Sequence, residues 1–111
     1  MTEILLVCSK DGCLKACEAS GHAGFAAKGK DIVCASETTI LRTALEVLEK
    51  TDGLTVCADA SHRGHLAFRV TGGESFNRDR LVCVADFIRF GLRALSDEYP
   101  GNIHLREIID E

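Results

Sequence analysis

The stretch Glu3–Ser20 reads "EILLVCSKDGCLKACEAS", two apolar-rich runs separated by Lys10-Asp11-Gly12. An aspartate-glycine step between such runs is a strong short-range signal for a β-hairpin. With Asp11-Gly12 as a two-residue turn, Cys8 faces Lys15 and Cys17 is its diagonal neighbour, roughly 7–8 Å away and too far to bridge. Both faces of this hairpin are apolar: Ile4, Leu6 and Cys17 on one side, Leu5, Val7, Leu14 and Ala16 on the other. A chain this short has helices enough to cover one such face, so the second calls for a partner or a further layer.

Outward from the hairpin, Gly21–Lys30 holds three glycines without apolar periodicity and reads as a loop of functional length. A helix follows from about Ile32 to Lys50, with Asp31 as N-cap and Val33, Ile40, Leu41, Ala44, Leu45 and Leu48 as its apolar stripe. Ser36, Thr39, Arg42, Thr43, Glu46 and Glu49 form its wet face. Leu54–Ala60 and His65–Thr71 read as a second strand pair across "SHRG". A second helix spans about Asn77 to Ser96, its stripe Leu81, Val84, Ala85, Ile88, Leu92, Leu95 almost unbroken. Pro100-Gly101 closes it, and Ile103–Ile109 returns as a strand. The order ββαββαβ predicts an α+β domain, a mostly antiparallel sheet with two helices packed on it in two or three layers.

The chain has 111 residues, which suits a single domain over 1–111. Its formal charge of −4 argues against a protein that reads nucleic-acid backbones, which needs a concentrated basic surface. The short apolar run near the start is a strand rather than a leader, and no later run is long enough to cross a bilayer. A cytosolic protein is expected, with its six cysteines reduced. Cys13 and Cys17, about 13 Å apart along one strand at ~3.3 Å per residue, cannot share a metal. No metal and no cofactor are expected. Cys8, Cys17, Cys57 and Cys83 read as small core residues. His62 and His65 read as solvated turn residues, and His104 as surface.

One region resists the core reading. Ser20–Ala35 is "SGHAGFAAKGKDIVCA". With Asp31 as N-cap, Cys34 is the third helical residue, where backbone N–H groups lack intrahelical partners and the helix dipole favours an anion. A thiol of ordinary pKa, about 8.5, is largely un-ionised at neutral pH, and helix N-termini are one means of lowering it. The same amides suit an oxyanion. His22, between Gly21 and Ala23-Gly24, is the natural base, on backbone that allows close approach.

Gly21-His22-Ala23 followed by Asp31-Ile32-Val33-Cys34-Ala35 resembles the ribosomal-processing cysteine protease family, long known as a domain of unknown function. The resemblance covers nearly the whole chain. It implies His22 and Cys34 as catalytic residues, with Gly21, Asp31 and Thr38 supporting them. Thr38 stands where the family usually has serine, and Glu37 where a small or apolar residue is expected. The resemblance further implies a homodimeric endopeptidase that removes a short N-terminal extension from large-subunit ribosomal protein number twenty-seven. Ala23, Gly24, Phe25, Lys28 and Gly29 fall in a loop placed to cover substrate. Two other classes compete: a non-catalytic ribosome-associated binding module, and a thiol redox sensor centred on Cys34.

Overall fold

The computed structural model describes residues 1–21, 24, 26–27, 31–60, 62, 64–73 and 75–110. Seven elements follow the expected order: β1 (Thr2–Cys8), β2 (Leu14–Ser20), α1 (Ile32–Glu49), β3 (Thr55–Asp59), β4 (His65–Thr71), α2 (Arg78–Glu98) and β5 (Ile103–Ile109). The strands form one sheet in the order β3-β4-β2-β1-β5. Every pair is antiparallel except β1–β5, which is parallel. Parallel neighbours need a long crossover, and α2 belongs to it.

Both helices lie on one face, so the domain has two layers. The alternation of each strand decides this face. In register, Ile4 stands beside Ala19 and Ala19 beside Leu66; one row along, Leu6, Cys17 and Phe68 line up the same way. All six are buried, and they join Val33, Leu41 and Leu48 of α1 and Leu81, Ile88 and Leu92 of α2 in one cluster. The α2 stripe is buried as the periodicity predicts. The helices approach closely where Ile40 lies over Gly91, since a β-carbon there would sit 3.2 Å from the isoleucine Cδ1. Glu107 of β5 secures α2, with Oε1 accepting from Arg89 Nε at 2.6 Å and Oε2 from Arg93 Nη2 at 2.8 Å. Burial alone pushes the Glu107 carboxyl upward, but the hydrogen bond and charge of Arg89, with those of Arg93, outweigh it and hold the group below its ordinary value.

The first hairpin departs from the two-residue turn. Ser9 N–H donates to the Cys13 carbonyl at 2.8 Å, and Gly12 N–H donates to the Ser9 carbonyl at 3.0 Å. The loop is therefore three residues, Lys10–Gly12, and Gly12 takes the left-handed conformation it requires at φ +87°. That loop shifts the register by one. A bulge shifts it back: Cys8 pairs with Leu14 and Val7 with Ala16, leaving Lys15 as the extra residue. Cys8 thus faces Leu14, not Lys15. The same bulge turns Leu14 to the helix side, where it is 1% exposed, instead of leaving it beside Leu5 and Val7.

Two further expectations fail. Cys57 and Cys83 are exposed rather than core. Cys57 belongs to an edge strand, in a row with Arg69, Ala16 and Val7 on the sheet face without helices. Cys83 precedes Val84 by one residue, and that step of the helix turns it outward, onto the arc that also exposes Phe87 and Phe90. None of the six cysteines is in a disulfide.

Candidate active site

The N-terminus of α1 is built by Asp31. Its backbone is extended, at φ −84° and ψ 99°, and its Oδ1 accepts from both Val33 N–H and Cys34 N–H at 3.0 Å. Oδ2 accepts from Ala26 N–H at 3.5 Å, tying the preceding segment to the helix start. This is a strong N-cap, and it fixes Cys34 as the third helical residue. It also changes the electrostatic expectation. The amides of Val33 and Cys34 are engaged by a carboxylate rather than open, so the Cys34 amide does not serve as a ready oxyanion donor while Asp31 holds it.

Cys34 is half-buried on the wall of a cleft of about 330 Å³ between the start of α1, the end of β2 and the β3–β4 turn. From α1 come Cys34, Glu37, Thr38 and Arg42; from β2, Ala19, Ser20 and Gly21. His62, Gly64 and His65 close the opposite side, and Thr2 reaches in from β1. The spacing of Cys34 and Thr38, one helical turn, puts both on the cleft side, as expected.

Gly21 has φ +95°, and a β-carbon would meet the Met1 carbonyl oxygen at 2.6 Å. Any side chain there is excluded twice, by backbone conformation and by contact. Its N–H donates to the Gly64 carbonyl at 2.9 Å, so β2 ends against the β3–β4 turn. His22 follows it directly in sequence. His22, Ala23, Phe25, Lys28 and Gly29 lie outside the described residues; Gly24 is exposed at φ +73°.

Glu37 is the residue whose position the apolar stripe did not anticipate. It is 8% exposed and occupies a place in the buried face of α1 between Val33 and Leu41. Its Oε2 accepts from Thr38 Oγ1 at 3.3 Å. Burial raises its carboxyl above the ordinary value, against the lowering effects of that hydrogen bond and the Arg42 charge. Nearby, burial and then the Glu37 charge push the Cys17 thiol up to about 12, which leaves it inert.

The sequence reading did not place His62, His65, Arg42 or Thr2 at this site. One signal was available for His65: strand pairing sets it opposite Ser20, the residue before Gly21. Cys57 and Cys83, though exposed, do not line the cleft with Cys34.

A half-buried thiol in the first turn of a helix, opening on a polar cleft of this size, defines a candidate thiol-dependent enzyme of α+β fold. The chain belongs to the family of the cysteine protease Prp, whose model matches residues 1–104. Solved structures agree in fold. A crystal structure of the essential ribosomal processing protease Prp from S. aureus with a covalently linked product peptide superposes with a TM-score of 0.80 at 23% identity, covering 97% of this chain and 100% of that one. The same enzyme with a substrate peptide gives 0.76 at 20% identity, with 97% and 100% covered. SMU.848 from Streptococcus mutans gives 0.73 at 22% identity, with 99% of this chain and 96% of that one covered. No curated protein matches the chain.

Proposed function

We propose that this chain is a ribosomal-processing endopeptidase that removes a short N-terminal extension from large-subunit ribosomal protein number twenty-seven. Membership of the cysteine protease family and the likeness to an enzyme solved with substrate and product peptides support this reading. Cys34 is the nucleophile and His22 the acid and base. The observation that carries the pair is that Gly21 lines the same cleft as Cys34, and His22 is joined to Gly21 by one peptide bond.

The Cys34 thiolate adds to the scissile carbonyl carbon. The carbon–nitrogen bond then breaks, and the leaving amine takes a proton from His22, leaving a thioester. Water attacks the thioester as His22 takes its proton, and the carboxylic acid product leaves with the thiolate restored. Asp31 holds the helix start and the preceding loop in place. The loop residues Ala23, Gly24, Phe25, Lys28 and Gly29 contact the bound peptide.

The enzyme acts in the cytosol, where its thiols stay reduced, and as a homodimer. The helix-free sheet face supports the dimer: Leu5, Val7, Ala16 and Ala67 are only partly covered there, along a groove of about 460 Å³.

A peptide spanning the N-terminal segment of the cell's own ribosomal protein twenty-seven, incubated with wild type, Cys34→Ala and His22→Ala, tests the proposal. Both variants are expected to lose at least about a hundredfold in kcat while keeping the wild-type circular dichroism. Full turnover by folded Cys34→Ala overturns it.

A further inference from the structure

The cleft holds one carboxylate that the hydrolysis just described does not use. Glu37 lies one turn beyond Cys34, nearly fully buried, and its carboxylate has a single hydrogen bond, from Thr38 at 3.3 Å. No cation of the described residues lies within ion-pairing distance of it. Arg42 is exposed and acts only through space. A buried carboxylate without a counter-ion is costly, and proteins rarely retain one idly.

A second, independent observation sits in the same cleft. Thr2 is 2% exposed, and its Oγ1 has no hydrogen-bond partner among the described residues. Buried hydroxyls almost always find a partner. Glu37 and Thr2 come from different elements, α1 and β1, yet both line the cleft that holds the nucleophile. Both groups have acceptor capacity to spare and one is anionic, so a single group made of donors alone, positively charged and carried on a long stem, satisfies the two together. Lysine and arginine side chains have that chemistry. An apolar side chain would leave both acceptors unsatisfied, and an acidic one would meet Glu37 as a like charge.

We propose that Glu37 and Thr2 form a specificity subsite that receives a lysine or arginine side chain of the substrate peptide, next to the scissile bond held at Cys34. This rests on the protease reading above. The incoming cation supplies the counter-ion that Glu37 lacks, and the Thr2 hydroxyl accepts a second hydrogen bond from it. Glu37 is the only carboxylate among the described residues that line the cleft, so attraction for a cation has one source there, set against the exposed Arg42.

Peptides made from the host proteome with a glutamate-specific protease, which leaves lysine and arginine internal, provide the probe. They are incubated with wild type, Cys34→Ala, Glu37→Gln and Thr2→Val, and new termini are read by mass spectrometry. Wild type is expected to show lysine or arginine enriched about tenfold at one fixed distance from Cys34-dependent cuts. Glu37→Gln loses that enrichment and keeps the preferences at other positions. Thr2→Val reduces it, which preserves the test should Glu37→Gln fail to fold. Cys34-dependent cuts with no basic preference, or with one that survives both substitutions, overturn the subsite. A preference for asparagine or glutamine instead overturns it as well. Absence of any Cys34-dependent cut, in this pool and in the added peptide of the ribosomal protein's extension, overturns the protease reading, and the subsite falls with it.

Discussion

The two helices share one face of one sheet, yet they are made on different terms. α2 presents Leu81, Val84, Ala85, Ile88, Leu92 and Leu95 to the core without a polar interruption, and β5 holds it from the side through Glu107. α1 starts from a side-chain cap, carries a thiol in its first turn and breaks its buried stripe with Glu37. α2 is a packing element throughout. α1 divides its duties: Val33, Leu41, Ala44, Leu45 and Leu48 pack into the core, while Cys34, Glu37 and Thr38 line the cleft. The apolar period runs unbroken along α2 and is interrupted in α1 by Glu37, beside the cleft, the pattern expected when a site is built into a fold.

The contrast breaks most readily at its apolar end. Ile88→Ala, in the middle of the α2 stripe at 0% exposure, should cost about 3–4 kcal/mol in urea denaturation. A loss below about 1 kcal/mol would mean that α2 is not the packing element described here. At the site end, Asp31→Ala removes two hydrogen bonds from the first turn of α1 and should cost about 1–2 kcal/mol. An unchanged denaturation midpoint would show that the cap does not hold the helix start.

The smallest effect has the opposite sign. Because burial raises the Glu37 carboxyl, the folded protein keeps that proton to a higher pH than the unfolded chain does. Stability attached to this group is therefore greatest at low pH, and it is lost as pH climbs from the ordinary carboxylate value through the raised one. Glu37→Gln removes that loss. The Cys17 thiol, pushed up to about 12, stays neutral over this range. The variant should gain on the order of 1 kcal/mol over wild type at pH 7 and much less at pH 4. Equal differences at both pH values would show that the carboxylate is not buried as described.

The contrast also marks what could be read from the sequence. The α2 stripe was legible because a 3.6-residue period needs no knowledge of the partner. Asp31 was legible because a cap is a local device. The upper register of the first hairpin, with Leu6 opposite Cys17, was legible even though the turn was not, since a three-residue loop and a one-residue bulge offset each other. What stayed hidden depends on distant neighbours. Leu14 changes face at the bulge, Cys57 depends on which face of an edge strand the helices leave bare, and Thr2 and His65 reach the cleft only through strand pairing. The Asp31 side chain was anticipated as a cap, but the extent to which it occupies the Cys34 amide is a matter of distances.

The parallel β1–β5 pair has a consequence in time. Thr2 forms part of the cleft wall, and its N–H donates to the Asn102 carbonyl, just before β5 begins. One border of β1 therefore stays bare until the last strand has left the ribosome and docked. A nascent chain tethered at the exit tunnel, with its amino end already outside, has Cys34 but not the finished cleft wall around it. The cleft wall at Thr2 is complete only once β5 has docked along β1.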